Sequence, residues 1–529
     1  MRQFPWRLIV GSVALAGCDP SVADYCSPGS PECSAPDAAG GDAGRDGGAE
    51  AEAAPSGCDP TKPPHDEPCV IDDAFGVFVS PAGSDANPGS KSAPTQTIGH
   101  AMDLAKAAGK RVYVCGGSYA EQLVVGSSRD GVNVYGALDC ATWTYGAGSR
   151  VVVAPTQNGN ALKIVGLRTG VTFEDVEFDA QNASAGIPGA SSVAVFVSSS
   201  QGTMFDRVTM VAGNGSDGAP GGSIGTATNW FGTPPAYAEL NGNNAGDAGG
   251  APTKQCTCAD QSQTSGGQGG GPMNIPSPGA GTPVYSDAGA GVAGMNAIVC
   301  GSGGSPPANG ADAPAPLAEV PSTSLGVCST SGWLPGVGIT GADGKPGQGG
   351  GGGGNGRLST GSGGGGACGG CGGAGGKPGQ GGGASIALLS FQSSITLTGC
   401  SLTANAAGNG GSGGSGEAGQ AGGSPGMPTG SGVGSGCAGG AGGAGAGGNG
   451  GQGGPGGLSL GIGYVGTPPT IDGAVVTQPS AHPGITIGAA GAGAAGGLRG
   501  ASATNSTGPA GALGASGQPG VAAAVEAVP

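Results

Sequence analysis

Residues 171–182 read VTFEDVEFDAQN, and the same pattern returns as TMFDRVTMVAGN at 203–214 and as ITLTGCSLTANA at 395–406. Each copy places apolar side chains at equivalent positions: Phe173, Val176 and Phe178; Phe205, Val208 and Met210; Leu397, Cys400 and Leu402. A short strand, a bend and a second strand would point these side chains inward, with each coil stacked about 4.8 Å from the next. Since such a coil buries its apolar side against its neighbours alone, the repeat predicts an all-β parallel β-helix.

Residues 77–125 predict how this body begins. A β-branched run is followed by a turn-rich stretch at 81–89 and by a short helix at 97–108, with Thr97 as its cap. The stretch resembles the opening of pectin-lyase-like β-helix proteins of the DUF1565 type. Those proteins share a Gly-Ser-Asp-x-Asn-Pro-Gly turn, a Pro-x-x-Thr-Ile helix and a Gly-x-Tyr-x-Glu rung, which fall here at 83–89, 94–98 and 117–121. The resemblance implies a right-handed parallel β-helix with a short N-terminal helix.

Glycine-rich tracts interrupt the repeat after its second copy. Residues 341–383 contain 25 Gly in 43 positions, and residues 408–457 contain 27 in 50. We interpret these tracts as long insertions that bulge from β-helix corners, and they resemble the tracts of PGRS-type proteins. Gly-Gly-x triplets form extended threefold helices related to polyproline II. Flexible disorder is the alternative, and the sequence leaves both open.

The N-terminus has the parts of an export signal. Arg2 and Arg7 precede a short apolar run at 8–14, and Leu15-Ala16-Gly17-Cys18 looks like the lipobox of bacterial lipoproteins. The resemblance implies cleavage before Cys18 and acylation of that residue, so that several acyl chains hold the protein to a bilayer. We therefore expect an exported protein, anchored to the cell membrane or outer membrane, in the periplasm or at the cell surface. Asp19 resembles an inner-membrane retention signal of enteric bacteria. Since that rule does not hold in all bacterial groups, the sequence does not decide between the two membranes.

The stretch from Asp19 to Asp73 carries −11 of the net charge of the chain. Thirteen acidic residues fall within it, against only Arg45 and Lys62, and the whole chain carries a net charge of −16. This stretch predicts a self-repelling, extended tether. The overall charge disfavours nucleic acid as a partner.

These features divide the chain into seven predicted segments. They are a signal peptide (1–17), an acidic Pro/Gly/Ala-rich tether (18–74), the N-terminal part of the β-helix (75–212), a glycine-rich insertion (213–383), a β-helix rung (384–406), a second insertion (407–457), and last strands with a Gly/Ala-rich tail (458–529).

Fourteen cysteines remain if Cys18 is acylated, an even number that indicates disulfides in an oxidising compartment. Candidates in the tether are Cys26, Cys33, Cys58 and Cys69, while Cys115 with Cys140 would clip the first coils. Eight others lie in or beside the glycine-rich parts: Cys256, Cys258, Cys300, Cys328, Cys368, Cys371, Cys400 and Cys437. Cys256-x-Cys258 and Cys368-x-x-Cys371 also have zinc-like spacing, but their flanks lack a second pair. We predict no metal and no cofactor.

A β-helix body suggests carbohydrate chemistry, although fold alone does not establish activity. Weak catalytic candidates are Asp179, Asp206 and Arg207, near Glu174, Asp175 and Glu177. The alternative is the solvated outer side of a half-buried strand, and no lyase or hydrolase motif is present. The leading hypothesis is a structural or adhesive envelope protein that contacts polysaccharide or extracellular matrix. A polysaccharide lyase or glycoside hydrolase, and a spacer in which length alone matters, are the alternatives.

Overall fold

The structure is a computed structural model that describes residues 57–222, 230, 238–246, 249–285, 306–356, 361–430, 434–477, 481–503 and 508–529. These ranges contain one α-helix, α1 (Ile98–Ala108), and short 3-10 turns at Pro68–Val70, Ser127–Arg129, Ala238–Leu240 and Pro272–Asn274. No helix in the described ranges is long and apolar enough to cross a membrane. The predicted signal peptide, Cys18, Cys26 and Cys33 lie outside the described residues.

The strands follow one another along the chain. The first half contains β1 (Gly76–Val79), β2 (Arg111–Cys115), β3 (Gly117–Tyr119), β4 (Leu123–Val125), β5 (Val134–Leu138), β6 (Val151–Val153), β7 (Leu162–Val165), β8 (Val171–Glu174), β9 (Val176–Asp179), β10 (Ser192–Ser198), β11 (Thr203–Asp206) and β12 (Thr209–Val211). The second half contains β13 (Lys254–Thr257), β14 (Gln263–Gly266), β15 (Gly326–Ser329), β16 (Gly332–Pro335), β17 (Ser385–Phe391), β18 (Ile395–Thr398), β19 (Ser401–Thr403), β20 (Ser459–Val465), β21 (Thr470–Ile471), β22 (Ala474–Val475), β23 (Ile485–Thr486) and β24 (Ala522–Ala527).

Three sheets contain these strands, apart from the separate hairpins β13–β14 and β15–β16. Sheet 1 has the order β1-β2-β5-β8-β11-β18-β21-β22, sheet 2 the order β3-β6-β9-β12-β19-β23, and sheet 3 the order β4-β7-β10-β17-β20-β24. Their pairs are parallel, except that β21 and β22 are antiparallel. From β2 onward each coil passes through sheets 1, 2 and 3 and returns beside the previous coil. The predicted all-β parallel β-helix is confirmed.

The repeated sequence forms the core of adjacent coils. Phe173 of β8 is in register with Phe205 of β11, and Phe205 with Leu397 of β18, although residues 207–394 separate the last two strands. The Phe173 and Phe205 rings stack with their centroids 6.1 Å apart. All three side chains are buried, because alternate residues of a strand point to the same side.

The predicted N-terminal helix is present as α1, which packs against β1, β2 and β4. Thr97 accepts a hydrogen bond from the His100 N–H at the helix N-terminus, and Gly109 ends the helix in the left-handed conformation. The inward side of the helix is fully buried against the core and consists of Ile98, Ala101, Met102 and Ala105.

The part of the predicted tether that the structure describes lies along sheet 1. The Tyr113 hydroxyl donates to the Val70 carbonyl. Lys110 Nζ donates to the Asp73 carbonyl at 2.7 Å. Since Val112 and Val114 point into the core, Tyr113 and these contacts are on the outer side of the sheet. Residues 57–74 therefore pack against the body.

The glycine-rich stretches all lie at one corner of the β-helix, between a strand of sheet 2 and the next strand of sheet 3. Residues 212–384 connect β12 to β17, residues 404–458 connect β19 to β20, and residues 487–521 connect β23 to β24. The third stretch falls in the region that the sequence assigns to last strands and tail. We call the described residues of these three stretches the glycine-rich lobe.

Hydrogen bonds in the lobe repeat every three residues. Along 361–383, N–H groups donate to a parallel neighbour in the pairs Gly364–Cys437, Ala367–Gly440, Gly370–Gly443, Gly373–Ala446 and Gly376–Asn449. An antiparallel neighbour donates to the same segment in the pairs Gly411–Gln380, Gly414–Lys377, Glu417–Ala374 and Gln420–Cys371. A period of three is that of the polyproline II class of helix, whereas a pleated strand has a period of two. These segments are therefore extended threefold helices.

Close packing explains the Gly-Gly-x pattern. A Cβ atom added at Gly363, Gly366, Gly369, Gly372 or Gly375 would lie 1.8–2.0 Å from a carbonyl oxygen of a facing helix. At Gly364, Gly370, Gly373 and Gly376 the corresponding distance is 1.9–2.1 Å. The third row along this helix has room for side chains and holds Cys368, Cys371, Ala374 and Lys377.

Candidate functional site

Arg207 brings three carboxylates together at the corner between sheets 1 and 2. Its Nη2 contacts Glu174 Oε1 at 2.7 Å, and its Nη1 contacts Asp206 Oδ2 at 2.9 Å. Its Nε and Nη2 bind the two oxygens of Asp175 at 3.0 and 2.9 Å, a bidentate arrangement. The guanidinium therefore lies at the centre of the carboxylate group.

Two further side chains reach the same place from outside the repeat. His65 Nδ1 is 2.7 Å from Glu174 Oε1, and the Tyr145 hydroxyl donates to Asp175 Oδ2 at 2.9 Å. We call the six residues the Arg207 cluster: His65, Tyr145, Glu174, Asp175, Asp206 and Arg207. Sequence reasoning missed His65 and Tyr145, since neither has a local pattern that signals its position over β8 and β11.

The backbone of the corner aims these side chains. Asp175, Arg207 and Gly399 have φ angles of 55°, 51° and 58° at equivalent positions of successive coils. Positive φ is uncommon for residues other than glycine, asparagine and aspartate. Asp175 suits the conformation, whereas Arg207 adopts it with the support of its carboxylate partners.

In the Arg207 cluster, burial and neighbouring charges shift the pKa values of the side chains in opposite directions. The Glu174 side chain is 4% exposed and that of Arg207 is 34% exposed. Burial raises the pKa of Glu174, and contacts with His65 and Arg207 act in the opposite direction. Burial alone would lower the pKa of Arg207, but the hydrogen bonds and charges of Asp175, Glu174 and Asp206 raise it. Arg207 is therefore the fixed positive charge that the carboxylates surround.

The Arg207 cluster contains two of the three weak catalytic candidates, Asp206 and Arg207. Asp179 lies on β9 opposite Val211 of β12, and no hydrogen bond or ion pair within the described residues joins it to the cluster. Burial, followed by the charge of Glu177, raises the pKa of Asp179. Asp179 is therefore separate from Asp206 and Arg207, on the outer side of sheet 2 with Glu177.

An open depression of about 150 Å³ borders the cluster. Its lining includes Arg150, Asp175, Glu177 and Arg207. Arg150 forms an ion pair with Glu177. Both arginines of the depression are thus paired with carboxylates of the chain.

The motifs that begin the body form a structural cap. Asp85 of the Gly-Ser-Asp turn accepts from the N–H groups of Gln96 and Thr97, both at 2.9 Å, and from the Thr97 hydroxyl at 2.8 Å. Glu121 of the Gly-x-Tyr-x-Glu rung accepts from the N–H groups of Ile98 and Gly99 at 2.7 and 3.1 Å. Both carboxylates therefore bind donors at the N-terminus of α1. They connect the turn and the third strand to the helix.

Residues 81–194 match the family described as a protein of unknown function, DUF1565. The match covers less than a quarter of the chain and includes the cap and the coils up to β10. DUF1565 is associated with the parallel β-helix, which fits the stacked parallel sheets. None of the curated proteins and none of the solved structures matches the chain.

Four disulfides cross-link the described residues. Cys58 pairs with Cys69 and Cys115 with Cys140. Cys256 pairs with Cys368 and Cys258 with Cys371. Cys437 is also disulfide-bonded, whereas Cys328 and Cys400 are free thiols.

The last two disulfides join a strand, whose side chains repeat every two residues, to a threefold helix, whose side chains repeat every three. Residues two apart share a side of strand β13, and residues three apart share a side of a threefold helix. The two cysteines of Cys-x-Cys therefore face the two of Cys-x-x-Cys, which gives each pair the partners that its own flanks lack. In the described part of the chain, one group of side chains has metal-ligand spacing, namely Cys58, Glu67 and Cys69. Its two cysteines form a disulfide.

Proposed function

We propose that the chain is a lipid-anchored cell-envelope protein with a structural or adhesive role, which contacts polysaccharide or extracellular matrix. The glycine-rich lobe is the observation that carries this proposal. Three stretches from one corner of successive coils pack as hydrogen-bonded threefold helices. Such an extension adds a broad lateral surface to a β-helix without a second apolar core.

The covalent cross-links support a location outside the cytoplasm. Disulfides persist in oxidising compartments and are rare in the cytosol. Two of them, Cys256–Cys368 and Cys258–Cys371, fasten the β13–β14 hairpin to the threefold helix at 361–383. We propose that Cys18 supplies the anchor through its acyl chains and that residues 19–56 act as the tether.

The Arg207 cluster favours a structural role over catalysis. Its three carboxylates already bind the Arg207 guanidinium, and the Glu174 carboxylate also contacts His65. A general acid or base must transfer a proton to substrate, and a carboxylate held in this way contributes instead to the rigidity of the corner.

Protease treatment of intact cells tests the location. If the body faces outward, added protease removes the full-length protein while a periplasmic control protein survives. Cys18→Ser should release the protein from the membrane fraction. Protection from protease would contradict a surface role and would direct the search to periplasmic glycans, whereas a Cys18→Ser protein that stays in the membrane would contradict the acyl anchor.

Deletion of residues 408–457 tests the role of the lobe. We expect the deletion to abolish retention of the full chain on immobilised envelope polysaccharide and to weaken cell adhesion. Unchanged adhesion would favour a spacer in which length alone matters. The matched control keeps the chain length by replacing the same segment with a Gly/Ser linker.

The depression beside Arg150, Glu177 and Arg207 favours one second candidate, a polysaccharide lyase or glycoside hydrolase. The test is release of reducing ends or unsaturated products from polysaccharide by the purified chain. Loss of that release in Asp206→Asn or Asp179→Asn would support the enzyme, and absence of any release by the wild-type chain would reject it for the polysaccharides tested.

A further inference from the structure

The glycine-rich lobe is built in layers, one from each of three coils. Layer 1 comprises 213–222 with 361–383, layer 2 comprises 408–427 with 437–457, and layer 3 comprises 489–503 with 508–520. Hydrogen bonds join layer 1 to layer 2, as from Gly364 to Cys437, and layer 2 to layer 3, as from Gly450 to Ala512. Layer 3 precedes β24, which is the outermost strand of sheet 3.

The N–H groups of layer 2 that face layer 3 all donate to it, from Gly410, Gly413, Gly416 and Gly419 on one helix and from Gly447, Gly450, Gly453 and Gly456 on the other. In layer 2, Gly439 donates to the Gly426 carbonyl and Gly440 to the Gly351 carbonyl. The next N–H, that of Ala441, donates to Asn309 Oδ1 at 2.9 Å. Three consecutive N–H groups thus point to three different neighbours, as a threefold helix surrounded on all sides requires.

In layer 3, the N–H groups at the equivalent outward-facing positions have no acceptor among the described residues. Gly491, Ala494, Gly497 and Gly500 donate to layer 2, and Gly511, Gly514, Gly517 and Gly520 donate within layer 3. The N–H groups of Gly493, Gly496, Leu513 and Ser516 bond to no residue that the structure describes. These four residues belong to two rows that no other described layer covers.

The side chains of this surface are small or apolar, except that Arg499 continues the row of Gly493 and Gly496. Leu498 is 68% exposed and Leu513 is 65% exposed. Arg499 is the one charged residue in the described parts of layer 3. Leu513 also lines a depression of about 180 Å³ with Pro321 and Ile339. Repeat proteins normally end in a polar capping repeat, and the described residues of layer 3 do not have one.

We propose that the outer face of layer 3 is a self-association surface, which a second copy of the chain covers with its own layer 3. The contact continues the layering already present between layers 1, 2 and 3. Segment 361–383 has both a parallel neighbour, 437–457, and an antiparallel neighbour, 408–427. Since threefold helices here accept either direction, a copy related by a two-fold axis fits the same face.

The size of the face predicts a weak association. Two helices of this length cover about 40 Å by about 10 Å, or roughly 400 Å² per copy, which is at the low end for specific interfaces. The complex should therefore form and dissociate with concentration. This inference is independent of the proposed envelope role, because association in solution requires neither a lipid anchor nor a polysaccharide.

Sedimentation velocity of the full chain carrying Cys18→Ser tests the proposal, from micromolar to near-millimolar concentration. We expect the sedimentation coefficient to rise with concentration toward that of a dimer. Leu513→Asp should raise the dissociation constant about tenfold or more, since it places a charge within the contact. The matched control is Met427→Asp, because Met427 is 62% exposed on layer 2 and should leave the dissociation constant unchanged.

Two results would overturn the proposal. One is a Cys18→Ser chain without further substitution that stays monomeric over the whole range. The other is association that Leu513→Asp and Met427→Asp affect equally, which would place the contact elsewhere. Circular dichroism of each variant checks that the fold is kept, and Ser516→Lys provides a second substitution on the same row.

Discussion

The β-helix body and the glycine-rich lobe are both built from stacked coils, but different atoms hold them together. In the body, side chains such as Phe173, Phe205 and Leu397 fill the interior of each coil. In the lobe, glycines remove the side chains so that backbone carbonyls and N–H groups of neighbouring helices meet directly. The first region gains stability mainly from apolar burial and the second mainly from hydrogen bonds and close contact.

This difference determines which substitutions each region tolerates. The body should be damaged by removal of side-chain atoms, which leaves a cavity. The lobe should be damaged by addition of a single methyl group at its close contacts, which leaves no space for a facing carbonyl.

Phe205→Ala should destabilise the body by about 3–5 kcal/mol, the usual cost of removing a buried phenylalanine. Phe205 is 1% exposed, whereas its neighbour Met204 is 47% exposed on the opposite side of β11. Met204→Ala is therefore the control, with a change within about 0.5 kcal/mol. Chemical denaturation measures both, and equal costs would contradict the assigned core.

Removal of both disulfides of the β13–β14 hairpin should cost about 4 kcal/mol, while removal of either one should cost less than about 1 kcal/mol. The reason is that Cys256–Cys368 and Cys258–Cys371 close loops with sequence separations of 112 and 113 residues, so one bond maintains the restraint of the other. The test replaces each cysteine pair by two serines, first separately and then together. Chemical denaturation measures the free energy of unfolding of each variant. Additive costs would show that the two bonds act independently.

Gly366→Ala should cost about 3 kcal/mol or more, at the upper end of over-packing. Its added Cβ would lie 1.9 Å from the Gly350 carbonyl oxygen. At the preceding residue, Gly365, the nearest atom to an added Cβ is 3.2 Å away. Gly365→Ala is therefore the matched control and should cost less than half as much. Similar effects on proteolytic stability of the lobe would contradict the close packing.

Asp85→Ala should cost about 1 kcal/mol at neutral pH, the usual cost of losing a helix cap. Burial alone would raise the pKa of Asp85, but hydrogen bonds from Thr97 and Gln96 lower it. The ionised carboxylate therefore stabilises the fold above the ordinary aspartate pKa of about 4, and this contribution is lost as pH falls through the lowered value.

Thermal unfolding over a pH series tests the Asp85 prediction. The difference between wild type and Asp85→Ala should disappear at low pH. Gln96→Ala is the control, because Gln96 binds Asp85 through its backbone N–H. A difference that stays constant with pH would show that the carboxylate charge is not involved.

The sequence predicts the body well because the pattern of inward-facing residues can be recognised within each short segment. Inward residues alternate along each short strand, and Thr97 with Ile98, Met102 and Ala105 shows the helix and its cap. Stacking then needs only that equivalent copies lie in adjacent coils, which the pairing of β11 with β18 demonstrates.

The Arg207 cluster was only partly predictable. Asp206 and Arg207 are visible in the repeat, but their contacts with Asp175 depend on positive φ angles at the corner. His65 and Tyr145 come from segments that lie outside the repeat. In the lobe, the pairing of Cys256 with Cys368 depends on how a hairpin docks on a threefold helix, which residue spacing alone does not encode.

Hydrogen–deuterium exchange of the full chain tests whether the lobe is an ordered bundle held by backbone hydrogen bonds. The hydrogen-bonded amides of residues 363–368, 370–371 and 373–376 should be protected to a degree comparable with those of β10 and β17 in the body. The N–H groups of Gly493 and Gly496, which have no described acceptor, should exchange fast in the monomer. Exchange of 363–376 at the rate of an unstructured peptide would contradict the account.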